Sequence, residues 1–414
     1  MTRADQPLAD RIRRTFGEAP MLRRFAIMAA ALMAFAFILN TAKMVIDVNA
    51  PDFAGEAVKI DFTAFWAGAR LAVEGRAIAA FDPNVLREAM AVQPSSEPGD
   101  LLWLYPPFWH MVVTPLGYLP FSAAYIVYSL VGLTLYCLVM MPLAKPLPGG
   151  IGLVLAGPAV LIILTLGNNS LYLTAGLAAV IATLGRGQAM LAGAILALMT
   201  VKPQLGLMIP FALAFGGYWR TILWAMIGTA IVLVLSTSVM GLDYWRAFLQ
   251  STAFMSEAMR GDLVRFDRMM TWYAFARLTG AGHDIAYPIQ LLVMLACAAA
   301  VSWVWSRRGA TLDLKAAALC TAAPMATPYA FHYEMTLALV AAMFLARDGF
   351  GASRGEKLLL LALWLGPVPG LALLGQVPPV LYAAPLMTVT LVICVWRARR
   401  AEDGVPAPTA ALPN

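Results

Sequence analysis

Residues 25–46 read FAIMAAALMAFAFILNTAKMVI, an apolar run broken by a single cation, Lys43, near its end. In lipid only a helix satisfies its own backbone over such a length, and at ~1.5 Å per residue the run is long enough to cross a bilayer. It is longer than the core of a signal peptide, and no convincing small-residue cleavage site follows it, so it is expected to stay as an anchor. Working outward, comparable runs fall at 121–143, 151–166, 170–185, 188–201, 204–217, 219–240, 286–306, 312–327, 331–346, 356–373 and 380–396. With the first they predict about twelve spans. Several are only ~14–17 residues, short for a straight crossing, so some helices are expected to be broken or half-inserted. The composition agrees: 61% of the 414 residues are hydrophobic and 13% are charged, against roughly 25% charged in soluble domains. The fold class is therefore all-α, a polytopic transmembrane helix bundle.

The net charge of +6 is not a nucleic-acid signal, because the basic residues sit in short turns and at the termini, with no single patch interleaved with aromatics. They read instead as topology markers. Arg3, Arg11, Arg13, Arg14, Arg23 and Arg24 place residues 1–24 in the cytoplasm by the positive-inside rule. With twelve spans, Lys145, Arg186, Arg220, Arg307, Arg308, Arg347, Arg354, Arg397, Arg399 and Arg400 all fall on that same side. Residues 25–396 then form one transmembrane domain, and 397–414 a cytoplasmic tail, Pro- and Ala-rich from about Ala401 and expected to be disordered. Cys137, Cys297, Cys320 and Cys394 each lie inside an apolar run, without metal-ligand or disulfide spacing, and read as small core residues.

The first outer loop, 47–107, is the longest polar stretch, with two short helices expected near Phe62–Val73 and Asn84–Val92. The run Phe108–Leu119 is read as a helix lying on the membrane surface. A second outer loop covers 241–284. This topology gathers the unusual polar residues on one side: Asp61, Tyr105 before Pro106-Pro107, Asn168 and Asn169 after Gly167, Lys202-Pro203-Gln204, the second loop with Arg265 and Arg268, and His332 with Glu334. Plain alternatives exist for each. Asp61 is also where a helix dipole favours an acid, a lysine at a span end usually snorkels, and Gly and Asn commonly turn a chain. Lys202, however, has apolar helix on both sides and almost no loop, and ionisable groups near membrane depth default to function. A cation there suits a phosphate carried on a lipid, and arginine forks match phosphate oxygens.

In order and sidedness, the anchor, the long outer loop with Asp61 near its start and Tyr105-Pro106-Pro107 at its end, the Gly167-Asn168-Asn169 turn and Lys202-Pro203 together resemble the polyprenol-phosphate-sugar-dependent glycosyltransferases of family 87, of the C-type membrane fold. The resemblance runs from about Phe25 to Trp396. It implies transfer of one sugar, a hexose such as mannose or a pentose, from a polyprenyl-phosphate donor to a lipid or glycan acceptor on the periplasmic face of a bacterial inner membrane. It also implies inversion at the anomeric carbon, Asp61 as general base and Lys202 as phosphate partner. Tyr105, Asn168, Asn169, Gln204, Arg265, Arg268, His332 and Glu334, gathered on the same side, are further substrate-binding candidates. The family's polar turn usually reads Gly-Gln and then a small polar residue, and an Asp is common at the place of Glu334, so no acid–base role is carried to Glu334.

The residue types suit that chemistry, which needs a base for the acceptor hydroxyl and a cation for the leaving phosphate. The chain has no Gly-rich phosphate loop for a nucleotide sugar. No metal-ligand cluster or other cofactor site is evident, although a divalent cation is left as an option because some C-type enzymes use one. A transporter or flippase is the rival reading, and a non-catalytic scaffold the third; transporters usually show internal repeats and midplane sites, and neither is visible here.

Overall fold

The apolar runs form helices, and Gly and Pro set where those helices stop. The computed structural model of the protein describes residues 20–49, 60–91, 101–366 and 378–403. The basic tail with Arg3, Arg11, Arg13 and Arg14, much of the 47–107 segment, and the tail beyond 403 lie outside the described residues. In chain order the helices are α1 (Pro20–Asn49), α2 (Phe62–Val73), α3 (Pro83–Met90), α4 (Pro107–Val113), α5 (Phe121–Ala144), α6 (Gly150–Leu155), α7 (Pro158–Leu166), α8 (Ser170–Gly185), α9 (Ala189–Leu198) and α10 (Ile209–Phe215). They continue as α11 (Trp219–Met240), α12 (Leu242–Arg260), α13 (Trp272–Leu278), α14 (His283–Ser306), α15 (Leu312–Met325), α16 (Thr336–Arg347), α17 (Arg354–Leu365) and α18 (Val380–Glu402). Among the described residues there is no strand, only an isolated bridge between Met269 and Phe331.

Five of these helices, α1, α5, α11, α14 and α18, are long and apolar enough to cross a membrane. The protein is an all-helical membrane protein. The shorter runs are broken, for identifiable reasons. Gly157-Pro158 splits 151–166 into α6 and α7, because proline at the first helical position suits a new start and not a continuation. The 188–201 run tightens at its end into a 3-10 turn, Met199–Val201, and 204–217 is a 3-10 turn, Pro203–Gly206, followed by α10. α11 turns Leu223, Met226, Ile231, Val234 and Val239 outward, as a lipid-facing helix must. It packs closely on α9 because Gly193 and Gly228 lack side chains: a Cβ on Gly193 would lie 2.5 Å from Trp224 Cβ. Close approach over small residues is how helices associate in lipid. The centre belongs to α15 and α16, which bury Ala316–Met325 and Leu337–Leu345, with α8 packed against α16.

The segment 241–284, expected as a loop, is largely helical. It holds α12, a 3-10 turn at Phe266–Arg268 and α13, and α14 already begins at His283. The reason is visible in hindsight: Tyr244, Ala258 and Met259 share one side of α12 and are buried, so the many charges occupy only the remainder of an amphipathic surface. α18 likewise continues past Trp396 to Glu402. Arg397, 8% exposed, is held there by Asp348 at 2.9 and 3.0 Å. Arg347 at the end of α16 bonds Asp313 at 3.0 Å and the Leu143 carbonyl at 2.6 Å. These ion pairs gather at one end of the bundle. The site below sits at the other end of α16, roughly 18 Å away for a helix of 12 residues.

Candidate active site

Three chain breaks build the site. At the first, Gly167 closes α7 in the left-handed conformation, φ +63, and stands so near α2 that a Cβ there would lie 2.5 Å from Phe62 Cβ. The turn after it is thereby pressed against the residue before Phe62, which is Asp61. At the second, Lys202 precedes Pro203 and is driven out of helical geometry, φ −127 and ψ 79, which turns its side chain inward. At the third, a 3-10 turn, His332–Met335, opens α16 and presents Glu334.

These breaks converge on one hydrogen-bonded chain. Asn168 Nδ2 donates to Asp61 Oδ2 at 2.7 Å. Asn168 Oδ1 accepts from Ser170 N at 2.9 Å, from Ser170 Oγ at 2.7 Å and from Lys202 Nζ at 3.4 Å. Those donors settle the orientation of the amide, since an acceptor must face them and the NH2 must then face the carboxylate. Lys202 Nζ donates to Glu334 Oε1 at 2.8 Å and to Ser170 Oγ at 3.5 Å, and lies 5.1 Å from the centre of the Tyr333 ring. Glu334 Oε2 accepts from Phe331 N at 2.8 Å. Lys202 is 7% exposed and Glu334 4%, so this is a buried ion pair and not a snorkelling lysine.

Asp61 does not cap its own helix: its side chain makes no hydrogen bond to the first turn of α2. The carboxylate is spent on Asn168 and remains partly exposed. Burial raises its pKa above the usual carboxylate range, against the Asn168 hydrogen bond and the nearby Lys202, which pull it down. His332 lies close enough to feel Asp61 and Glu334, yet burial lowers its pKa. Its Nδ1 lies 3.1 Å from the Arg268 carbonyl, which can only accept, so the proton sits on Nδ1 and Nε2 keeps its lone pair. Tyr105 stands near Asp61 and beside the Asn169 amide, and burial pushes its phenol well up, keeping it a neutral donor.

Asn169 is wholly buried, and the polar neighbour of its amide is the Tyr105 phenol. Of the other candidates, Arg265 is tied to Asp267 at 2.7 and 2.9 Å on the surface, and Arg268 reaches the cluster through its backbone and its charge beside His332. Gln204 makes no side-chain hydrogen bond to the cluster. Ser170, not singled out in the sequence, is the crossing point of the network; its only signal is its place directly after the two asparagines. A second network was not legible either. His110, fully buried, lies 2.7 Å from the Gly68 carbonyl through Nε2 and 2.8 Å from Tyr244 Oη through Nδ1, and Trp103 Nε1 donates to the same phenol at 2.7 Å. The carbonyl fixes the proton on Nε2, so Tyr244 donates to Nδ1. This ties α2, which carries Asp61, to α4 and α12.

A carboxylate with a raised pKa, beside a buried ammonium and a neutral imidazole at one end of a membrane bundle, is equipped to take a proton and to hold an anion. Among the described residues no three His, Cys, Asp or Glu side chains gather as metal ligands. Glu334 has both oxygens engaged, leaving Asp61 as the carboxylate that could bind an ion. The family comparison supplies the class of protein, a membrane glycosyltransferase. Residues 103–328, more than half of the chain, match the model of glycosyltransferase family 87, and the protein belongs to that family. Comparison with curated proteins and with solved structures gives no match.

Proposed function

We propose that the protein moves a single sugar from a polyprenyl-phosphate donor to a hydroxyl on a lipid or glycan acceptor, with Asp61 as general base and inversion at the anomeric carbon. The carrying observation is that the Asp61 carboxylate, partly exposed and unused by its own helix, is aimed by Asn168. In the transfer, the acceptor oxygen attacks the anomeric carbon while the bond to the phosphate oxygen breaks. Asp61 takes the acceptor proton as the new bond forms, and the electron pair leaves with the phosphate. A raised pKa makes Asp61 a better base than an ordinary Asp at ~3.9.

Lys202 is the partner of that phosphate. Its shortest contact, to Glu334, holds it in place, and its two long ones, 3.4 and 3.5 Å, are those a phosphate oxygen would displace. Arg268 and His332 border the same space, and Arg268 adds positive charge there. A hexose such as mannose, or a pentose, is the cargo. The short helices complete about twelve membrane passages of a C-type fold, with the site on the periplasmic face of a bacterial inner membrane and the Arg347 and Arg397 ion pairs on the cytoplasmic one.

A panel of polyprenyl-phosphate sugars carrying mannose, glucose, galactose, arabinose or a uronic acid, offered to purified protein with native lipid extract, tests the reading. Transfer from at least one of them, and none from nucleotide sugars, is expected. If every donor stays intact while a lipid-linked sugar crosses the membrane of reconstituted vesicles, the protein is a flippase.

A further inference from the structure

Asp61 and the nearby Tyr105 phenol belong to different segments: Asp61 opens α2, and Tyr105 lies in the stretch that leads into α4. Both segments are joined through one oxygen atom of α12. Tyr244 Oη accepts from Trp103 Nε1 at 2.7 Å and donates to His110 Nδ1, 2.8 Å away, and the Tyr105 carbonyl oxygen lies 3.3 Å from it. His110 in turn donates from Nε2 to the Gly68 carbonyl of α2 at 2.7 Å. Gly68 stands about two turns after Asp61, ~10 Å along the helix. Trp103 presses on the same glycine, so closely that a Cβ there would lie 2.6 Å from Trp103 Cζ3. Tyr244, Trp103 and His110 are all buried, and a buried network in which each polar atom is paired holds a single geometry.

We infer that Tyr244 is a positioning residue for the transfer: its hydroxyl locks α2 to the 103–110 segment and so holds the Asp61 carboxylate in register with the Tyr105 phenol. A base acts only within hydrogen-bond reach of the proton it takes, so a small displacement of α2 lowers the rate while groups that bind the donor elsewhere keep their contacts. The inference rests on Asp61 acting as the base of the sugar transfer and adds to that reading a residue that works only through others. The hydroxyl can be removed alone, because the Tyr244 ring also packs edge-on against Phe81, with centroids 4.9 Å apart. Tyr273 is a matched control. It is equally buried, and its hydroxyl likewise lies 3.0 Å from a carbonyl, that of Met259, and 3.0 Å from a histidine Nδ1, that of His283.

The test places Tyr244→Phe and Tyr273→Phe in the full-length protein, each in the wild-type and the Asp61→Asn background, and measures kcat, donor KM and thermal unfolding in proteoliposomes. Tyr244→Phe is expected to lower kcat on the order of 10- to 100-fold with donor KM nearly unchanged. In the Asp61→Asn background, where no base is left to position, it should cost nothing further. Tyr273→Phe should lower the unfolding temperature in the same way and keep kcat. If Tyr244→Phe does not accumulate in the membrane, Trp103→Phe, which removes one bond of the same joint and keeps a ring, is read by the same cycle. Full kcat in Tyr244→Phe, an equal proportional loss in both backgrounds, or the same loss of kcat in Tyr273→Phe would each overturn the inference. Inactivity of wild type on every polyprenyl-phosphate donor is a different result: it removes the sugar-transfer reading, and the positioning role with it.

Discussion

Asp61 is balanced by opposing influences, and the balance is measurable. Burial raises its pKa, while Asn168 and Lys202 lower it. A base works ionised, so kcat/KM should fall as pH drops through this pKa, with the acid limb above the ordinary carboxylate range of ~3.9. Asn168→Ala removes a stabiliser of the ionised form, so its acid limb should move to higher pH in the same pH–rate profile; an unmoved limb would mean that another group titrates there. The groups facing Asp61 are Lys202, His332, Glu334 and the phenols of Tyr105, Tyr128, Tyr329 and Tyr333. Breaking the Lys202–Glu334 pair from one side leaves a buried charge alone, at a cost of about 3–5 kcal/mol. Lys202→Met or Glu334→Gln should therefore lower thermal stability sharply, and the double variant should recover part of the loss.

Among the elements, the turn between α7 and α8 and the cap of α2 set the geometry. Gly167→Ala forces an unfavourable φ of +63 and a contact at 2.5 Å with Phe62, so it should displace Asn168 from Asp61 and lower turnover more than it lowers expression. The His110 network makes a separate prediction. Burial lowers the His110 pKa to about 4 from an ordinary 6.5, so the folded state releases a proton that the unfolded chain would keep. That contribution is present above about 6.5 and is lost as pH falls toward about 4. Unfolding temperature should drop across that window, and His110→Gln should flatten the drop. At this scale the sequence was readable wherever local chemistry decides: Phe62–Val73 and Phe121–Ala144 lie close to where apolar spacing and flanking prolines place them. It was unreadable where burial decides. α12 hides its buried side among charges, and the partner of His110 is a tyrosine 134 residues further along the chain.

At the scale of the whole molecule, apolarity and charge declare a membrane bundle, and the Arg347 and Arg397 ion pairs gather at the far end of α16 from the site. Impermeant thiol reagents should thus label cysteines placed at Arg70 and at Arg354 from opposite sides of sealed vesicles. The cluster itself was only half legible. Asp61, Asn168 and Lys202 announce themselves as polar residues at breaks in apolar runs. Their pairing with Ser170 and Glu334 depends on how three distant turns meet, which no local pattern encodes. The most direct test of the account is turnover of Asp61→Asn in proteoliposomes supplied with the donor that wild type uses. Asparagine keeps the shape and an acceptor for Asn168 but takes no proton. A loss on the order of 100-fold or more in kcat with the fold intact is expected. An Asp61→Asn protein turning over at the wild-type rate would contradict it.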